Sequence, residues 1–197
     1  MQAAEKGELV NTLFEERLFG LIGVLHSITN TLDSHGIPHE LIGGLAVLVY
    51  AEEANPELSA LTRDVDLMNH RSDLDRFKMA AASAGFRFRD TAGVDMLIYG
   101  PTESARNAVH LLFSGEKVTT EQATPNPAIA PVHKEVHGKD VMVIPLADLV
   151  GMKLSLYRLK DQVHIQTLDA AGLITAEVEE SLAVELVARL SHIRATP

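Results

Sequence analysis

The stretch LIGGLAVLVYAEEANPELSALTRDVDLMNH, residues 41–70, restricts the fold more than any other part of the chain. An apolar run ends on Gly43 and Gly44, an apolar helical segment follows directly, and Asp64 and Asp66 then stand two apart in a second apolar run. Alternate residues of a strand face the same side, so the two carboxylates point together. Two acids so placed repel each other and hold protons more tightly unless a cation lies between them. Mg²⁺ suits such a pair because it prefers hard oxygen ligands and keeps positions for water and phosphate. The plain alternative is a strand end with two solvated acids, and D-x-D alone is a common pattern. The glycine pair adds a second signal. Glycine lets an anion approach the backbone, and the N–H groups and dipole of a helix start attract it. A tight strand-to-helix turn would need the same glycines for geometry alone. Neither G-x-x-x-x-G-K-[ST] nor G-x-G-x-x-G is present, which removes the P-loop and dinucleotide fingerprints. A glycine turn on one strand beside a carboxylate pair on the next suits a nucleoside triphosphate, with phosphates on the turn and Mg²⁺ on the acids.

The rest of the chain supplies the frame. Leu9, Leu13, Leu18, Leu21, Leu25, Ile28 and Leu32 repeat at helical spacing until Gly36 and Pro38 stop the helix. A strand over 37–42, a helix over 44–53 ended near Asn55 and Pro56, and a strand over 63–69 follow. A third helix is capped by Ser72 or Asp73 and closed by Gly85. Runs beginning at Phe86, Val94 and Ala108 read as strands. Residues 116–131 are polar with three prolines and read as an extended surface connector. The segment from Lys134 reads as a hairpin turning at His137-Gly138. Pro145 opens a helix that runs to about Asp161, Asp161 caps the next as far as Gly172, and Thr175 caps a last helix with Val178, Leu182, Leu186 and Leu190 on one stripe. This order predicts an α+β (α/β) fold: a small mixed sheet flanked by helices over residues 1–144, and a helical C-terminal segment over 145–197 packed on it.

Bulk properties exclude several classes. The formal net charge is −10, which argues against a broad nucleic-acid surface. Residues 87–161 carry nine basic and nine acidic side chains, so the acidic excess lies in the two ends and a local basic pocket remains possible in the middle. With no cysteine, disulfides and thiolate metal sites are excluded, and a cytoplasmic setting is expected. No signal-peptide pattern and no apolar run near ~18 residues is seen, so no membrane span is expected. Nine histidines are scattered; His133 and His137, four apart in a strand or turn, do not make a zinc site. Ser104 and Ser114 lack a G-x-S-x-G setting, so serine hydrolase chemistry has no support.

The segment LIGGLAV…TRDVDLM resembles the signature of the nucleotidyltransferase superfamily, whose members join a glycine-glycine or glycine-serine turn to a metal-binding D-x-D pair. VIPLADLVGMKLSLYRLKDQVHIQTLDAAGLI is similar to the helical tail of small bacterial members, the minimal and abortive-infection-toxin types. The resemblance spans about Ile37 to Ile174. It implies transfer of an NMP group from an NTP to an acceptor hydroxyl on an RNA end, a protein or a small molecule, with Mg²⁺ or Mn²⁺ as cofactor and pyrophosphate leaving. Its alternative is a degenerate member that binds nucleotide or a protein partner, with a toxin–antitoxin component as a further variant. A homo-oligomer is compatible with either.

By this resemblance Asp64 and Asp66 hold the metal, and Gly43 and Gly44 meet phosphate oxygens. Arg63 precedes the pair and, in a regular strand, points to the opposite face; it is a candidate ligand or a solvated ion pair. Lys153 and Lys160, seven apart on one helix face, are candidates for the triphosphate. Active members carry a third acid on a following strand. AVHLLFSG places His110 where the family has that acid, and Asp95 in VDMLIYG is the other candidate; Asp95 is the expected third acid. A neutral histidine can ligate a metal or take a proton, but it adds no negative charge.

Overall fold

The alternating apolar runs pair into a seven-stranded mixed sheet in the computed structural model, which describes residues 3–55, 62–91, 93–100 and 108–196, with side chains from residue 16 onward. The strands are β1 (His39–Ile42), β2 (Val65–Asn69), β3 (Phe86–Thr91), β4 (Val94–Tyr99), β5 (Ala108–Phe113), β6 (Val132–Val136) and β7 (Lys139–Val143). They lie in the order β3-β4-β5-β2-β1-β7-β6. The β2–β5 and β1–β7 pairs are parallel and the others antiparallel. The central strands are buried on both faces, which is why they read as continuous apolar runs. The register puts Ile42, Asp66, His110 and Met96 in one row across β1, β2, β5 and β4.

Helix α1 (Ala3–Ser34) buries Leu21, Leu25, Ile28 and Leu32; Leu9 and Leu13 of the same stripe lie outside the described side chains. Helix α2 (Gly43–Ala54) starts directly from β1, and α3 (Leu74–Ser83) follows a 3₁₀ turn at Arg71–Asp73. Helices α4 (Leu146–Leu156) and α5 (Leu159–Ala170) pack on α2 above the face that carries Asp66. Helices α1 and α3 pack together on the opposite side, where His39 comes within 3.9 Å of Asp33. The short α6 (Ala176–Glu180) and α7 (Val184–Ala195) close the outside of α4 and α5. The β6–β7 hairpin turns at His137 (φ 47°) and Gly138 (φ 76°), the double positive φ of a two-residue hairpin turn.

Four expectations change. The helix expected from Pro145 to Asp161 ends at Leu156, because Tyr157 adopts a left-handed conformation with φ 56°. Asp161 then serves the next helix from its third position, its carboxylate accepting the Arg158 N–H, instead of standing at the cap itself. The last helix is two, since residues 181–183 interrupt it, although Thr175 does cap α6. The connector 116–131 is more than a surface tether. Gln122 and Asn126 are buried, the Thr124 N–H donates to Ser155 Oγ of α4, and the Ala130 N–H donates to Glu40 Oε2. Its polar side chains satisfy its own backbone, as a buried loop requires.

Candidate active site

Helix α2 begins one residue after β1, and only glycine fits the junction. Gly43 has φ +75°, and a Cβ there would lie 1.9 Å from Asp66 Oδ2. The missing side chain therefore lets the Asp66 carboxylate rest against the backbone that opens the helix. A Cβ on Gly44 would lie 2.9 Å from Thr62 Oγ1 and 3.4 Å from His164 Cε1, so the second glycine admits the segment before β2 and helix α5. Thr62 Oγ donates to the Asp64 carbonyl at 3.2 Å and shapes the entry to β2. Asp64 lies one residue ahead of that strand, and Arg63 has already left the strand geometry expected of it. The opposite-face orientation expected of Arg63 consequently does not apply, and Arg63 joins the cavity wall.

One cavity of about 650 Å³ gathers Gly43, Gly44, Arg63, Asp64, Asp66, His110, Lys153 and Lys160. These are all the residues singled out from the sequence except one. Asp95 is not among its lining residues. His110 stands opposite Asp66 on one side and Met96 on the other, so strand alternation turns Asp95 to the far face. There Arg71 donates to Asp95 at 2.6 Å, binds Glu116 through two nitrogens and stacks 3.4 Å above the Phe113 ring. The expectation that Asp95 completes the acidic pair fails in this geometry, where His110 is the residue that stands beside Asp66.

His110 Nδ1 lies 3.2 Å from Asp66 Oδ1. That hydrogen bond holds the imidazole above its usual titration range, with the Asp66 and Asp64 charges adding to it and burial and Lys160 opposing. Burial pushes the Asp66 carboxyl up, but the His110 hydrogen bond and the charges of Lys153, His110 and Lys160 outweigh it, and Asp66 titrates below the usual carboxylate range. Lys153, on α4, is almost fully buried, and burial lowers its pKa against the pull of Asp161 and Asp66. Asp161 is fully buried and meets Lys153 Nζ at 3.3 Å and Arg158 Nε at 2.7 Å. It thus ties two cations of the cavity wall to the start of α5. Lys153 and Lys160 do not share a helix face, as their spacing suggested; they reach the cavity from α4 and α5 on either side of the Tyr157 break.

Sequence reasoning missed His164 and the anchoring role of Asp161. His164 lies four residues after Lys160, the spacing that places two side chains on one face of a helix, and this was its one legible signal. Asp161 looked like an ordinary cap.

Among the described residues no group of three or more His, Asp or Glu side chains could hold a metal ion. The pair nevertheless fits Mg²⁺, which binds through one or two carboxylates and completes its shell with water and substrate phosphates. The space a Cβ at Gly43 would fill is the observation that favours it, since it keeps Asp66 beside a helix start able to receive phosphate oxygens.

No protein-family model and no curated protein matches the chain. Solved structures do. An antigenic nucleotidyltransferase-like protein from Paracoccidioides brasiliensis superposes with a TM-score of 0.58 at 18% identity, covering 90% of this chain and 88% of that one. The ANT(2″)-Ia antibiotic-resistance factor, solved in complex with adenylyl-2″-tobramycin, gives 0.54 at 12% identity over 88% and 97%. The lincosamide antibiotic adenylyltransferase LnuA, bound to lincomycin, gives 0.50 at 14% over 76% and 96%. The chain therefore has the nucleotidyltransferase fold, as the Gly-Gly and D-x-D resemblance implied.

Proposed function

We propose that the protein is a metal-dependent nucleotidyltransferase that moves an NMP group from an NTP to an acceptor hydroxyl. The observation that carries this reading is the packing of Asp66 into the space left by Gly43, inside a cavity that also holds Asp64 and the cations of α4 and α5. Asp64 and Asp66 would hold Mg²⁺ or Mn²⁺, which supplies charge neutralisation at the transferring phosphate. The α2 N–H groups beside Gly43 and Gly44 receive phosphate oxygens. Lys153, Lys160, Arg158 and Arg63 offset the charge that collects on the departing pyrophosphate. The acceptor oxygen bonds to the α-phosphorus as the bond to the β-phosphate oxygen breaks. With His110 Nδ1 donating to Asp66, Nε2 is the ring atom left to take the acceptor's proton.

The test is calorimetric titration of Mg²⁺-ATP into the wild type and into the Asp64→Asn, Asp66→Asn double variant. Loss of binding in the variant supports the site, and equal affinity removes it. A second reading, a nucleotide-binding module without transfer, is favoured by His110 in the third position. The two part on labelled-NTP transfer: metal-dependent labelling that Asp66→Ala abolishes leaves only the enzyme.

A further inference from the structure

The cavity is polarised. Three of its cations, Lys153, Arg158 and Lys160, come from α4 and the start of α5, while Arg63 and the two acids come from β2 and the residues just before it. Beyond His110, toward the β3–β4 edge, the described lining is Thr91, Val94 and Met96, with Leu112 of β5 and Val118 of the following connector also lining the cavity. None of these is charged. Asp90 and Asp95, paired with each other on β3 and β4, alternate away from this wall, and Asp95 is held by Arg71 on the far face. The row Asp66–His110–Met96 sets the geometry. Strands lie ~4.8 Å apart, so Met96 stands roughly 10 Å from Asp66 across the sheet.

In-line displacement requires the nucleophile to approach opposite the leaving group. The cation cluster is the place for pyrophosphate, so the acceptor enters from the opposite, His110 side. We propose that the acceptor is an uncharged small molecule carrying a hydroxyl on an apolar body, seated against Val94, Met96, Leu112 and Val118. This rests on the nucleotidyltransferase reading. The transfer balances: the acceptor O–P bond forms, the bond from the α-phosphorus to the β-phosphate oxygen breaks, pyrophosphate leaves with that electron pair, and the hydroxyl proton passes to His110 Nε2. A polycation would find no acid among the described lining residues of this wall, although Arg89, opposite Met96 on β3, lies on the same sheet face.

The full chain is incubated with Mg²⁺ and α-labelled ATP in the presence of naphthol, kanamycin or tRNA. The expected result is label on naphthol at a rate at least about tenfold above the others, since apolar burial and unpaired polar groups both discriminate on that scale. Preferred labelling of kanamycin or tRNA overturns the proposal. Binding is then read by titrating naphthol into protein saturated with Mg²⁺-ATP. The near-isosteric polar variant Val94→Thr, Met96→Gln should bind naphthol roughly fivefold or more weakly, while Met96→Leu retains it. Circular dichroism checks that both variants fold, and equal naphthol affinity in the polar variant and the wild type overturns the wall assignment. Displacement of ATP by naphthol would give the wall to the nucleobase and overturn it too. Failure of Mg²⁺-ATP to bind the wild type at all sinks the underlying reading, whereas ATP binding without naphthol binding sinks this inference alone.

Discussion

A methyl group on Gly43 would collide with Asp66 Oδ2 at 1.9 Å, and φ +75° is a left-handed backbone that disfavours any side chain. Alanine there costs about 1–2 kcal/mol in backbone strain and also drives the carboxylate from its place. Gly43→Ala should therefore lower nucleotidyl transfer by roughly 100-fold, the scale of an ångström-sized misplacement, with the protein still folded at 25 °C. Gly44→Ala meets a threonine hydroxyl at 2.9 Å and should be milder; steady-state rates of the two variants check the order. The relation between Gly43 and Asp66 is legible in the sequence, because a strand-ending glycine and a D-x-D both advertise it. The choice between Asp95 and His110 is not. It depends on the register of β4 against β5, which puts Met96 opposite His110, and the segment between those strands carries no pattern that sets it. A buried acid outside the site makes a separate prediction. Glu40 is fully buried, and burial, with a contribution from Asp148 and against the Ala130 N–H, pushes it up to about 7. Its folded pKa lies above its unfolded value of 4.5, so the native state binds more protons in between. Stability should then fall as pH rises from 4.5 to about 7 and level off above, by about 3 kcal/mol in all. Glu40→Gln keeps the acceptor for Ala130 and should flatten that slope in urea unfolding followed against pH.

Helices α4 and α5 reach the site as separate pieces joined at Tyr157, and Asp161 makes the joint. Its carboxylate accepts the Arg158 N–H at 3.3 Å, which caps α5, and it meets Lys153 from α4 at the same distance. The periodicity of LADLVGMKLSLYRLK hides the break, because apolar residues continue at helical spacing and the residue that turns is a tyrosine, not a glycine. Tyr157 is held in that turn from outside its own segment: its hydroxyl lies 3.4 Å from the Arg189 carbonyl, and the Arg189 guanidinium lies 5.1 Å from its ring. Such tertiary support overrides local preference and leaves no trace in the local sequence. Removing the acid strands a buried ammonium. Asp161→Ala should destabilise the fold by about 3–5 kcal/mol, the range for breaking a buried pair from one side. Asp161→Asn, which retains an acceptor for the cap, should cost less. Chemical denaturation of both variants separates the capping contribution from the charge.

Across the whole molecule, Asp64 and Asp66 at the start of β2 and the cations of α4 and α5 come together at the cavity, so a bound nucleotide would bridge two parts of the chain. The net charge of −10 opposes any polyanion at long range, yet Arg63, Lys153, Arg158 and Lys160 outnumber the two acids beside them. A divalent cation on Asp64 and Asp66 would complete the local balance with a bound triphosphate, and without it the carboxylates would repel the phosphates. Nucleotide and metal should consequently stabilise the protein only together. A ligand at 100 times its Kd adds about 2.7 kcal/mol to folding stability, and for a chain of this size each kcal/mol raises Tm by about 2–4 °C. Mg²⁺-ATP should then raise the melting temperature by roughly 5–10 °C, while ATP with EDTA, or Mg²⁺ alone, should move it by far less. The Asp64→Asn, Asp66→Asn variant removes the repulsion and the metal ligands at once. If the acids serve the metal, it should lose the Mg²⁺-dependent increment while its ATP response becomes the same with and without EDTA. An increment that survives in the variant would place the metal on the phosphates alone and leave the aspartate pair without a part in binding.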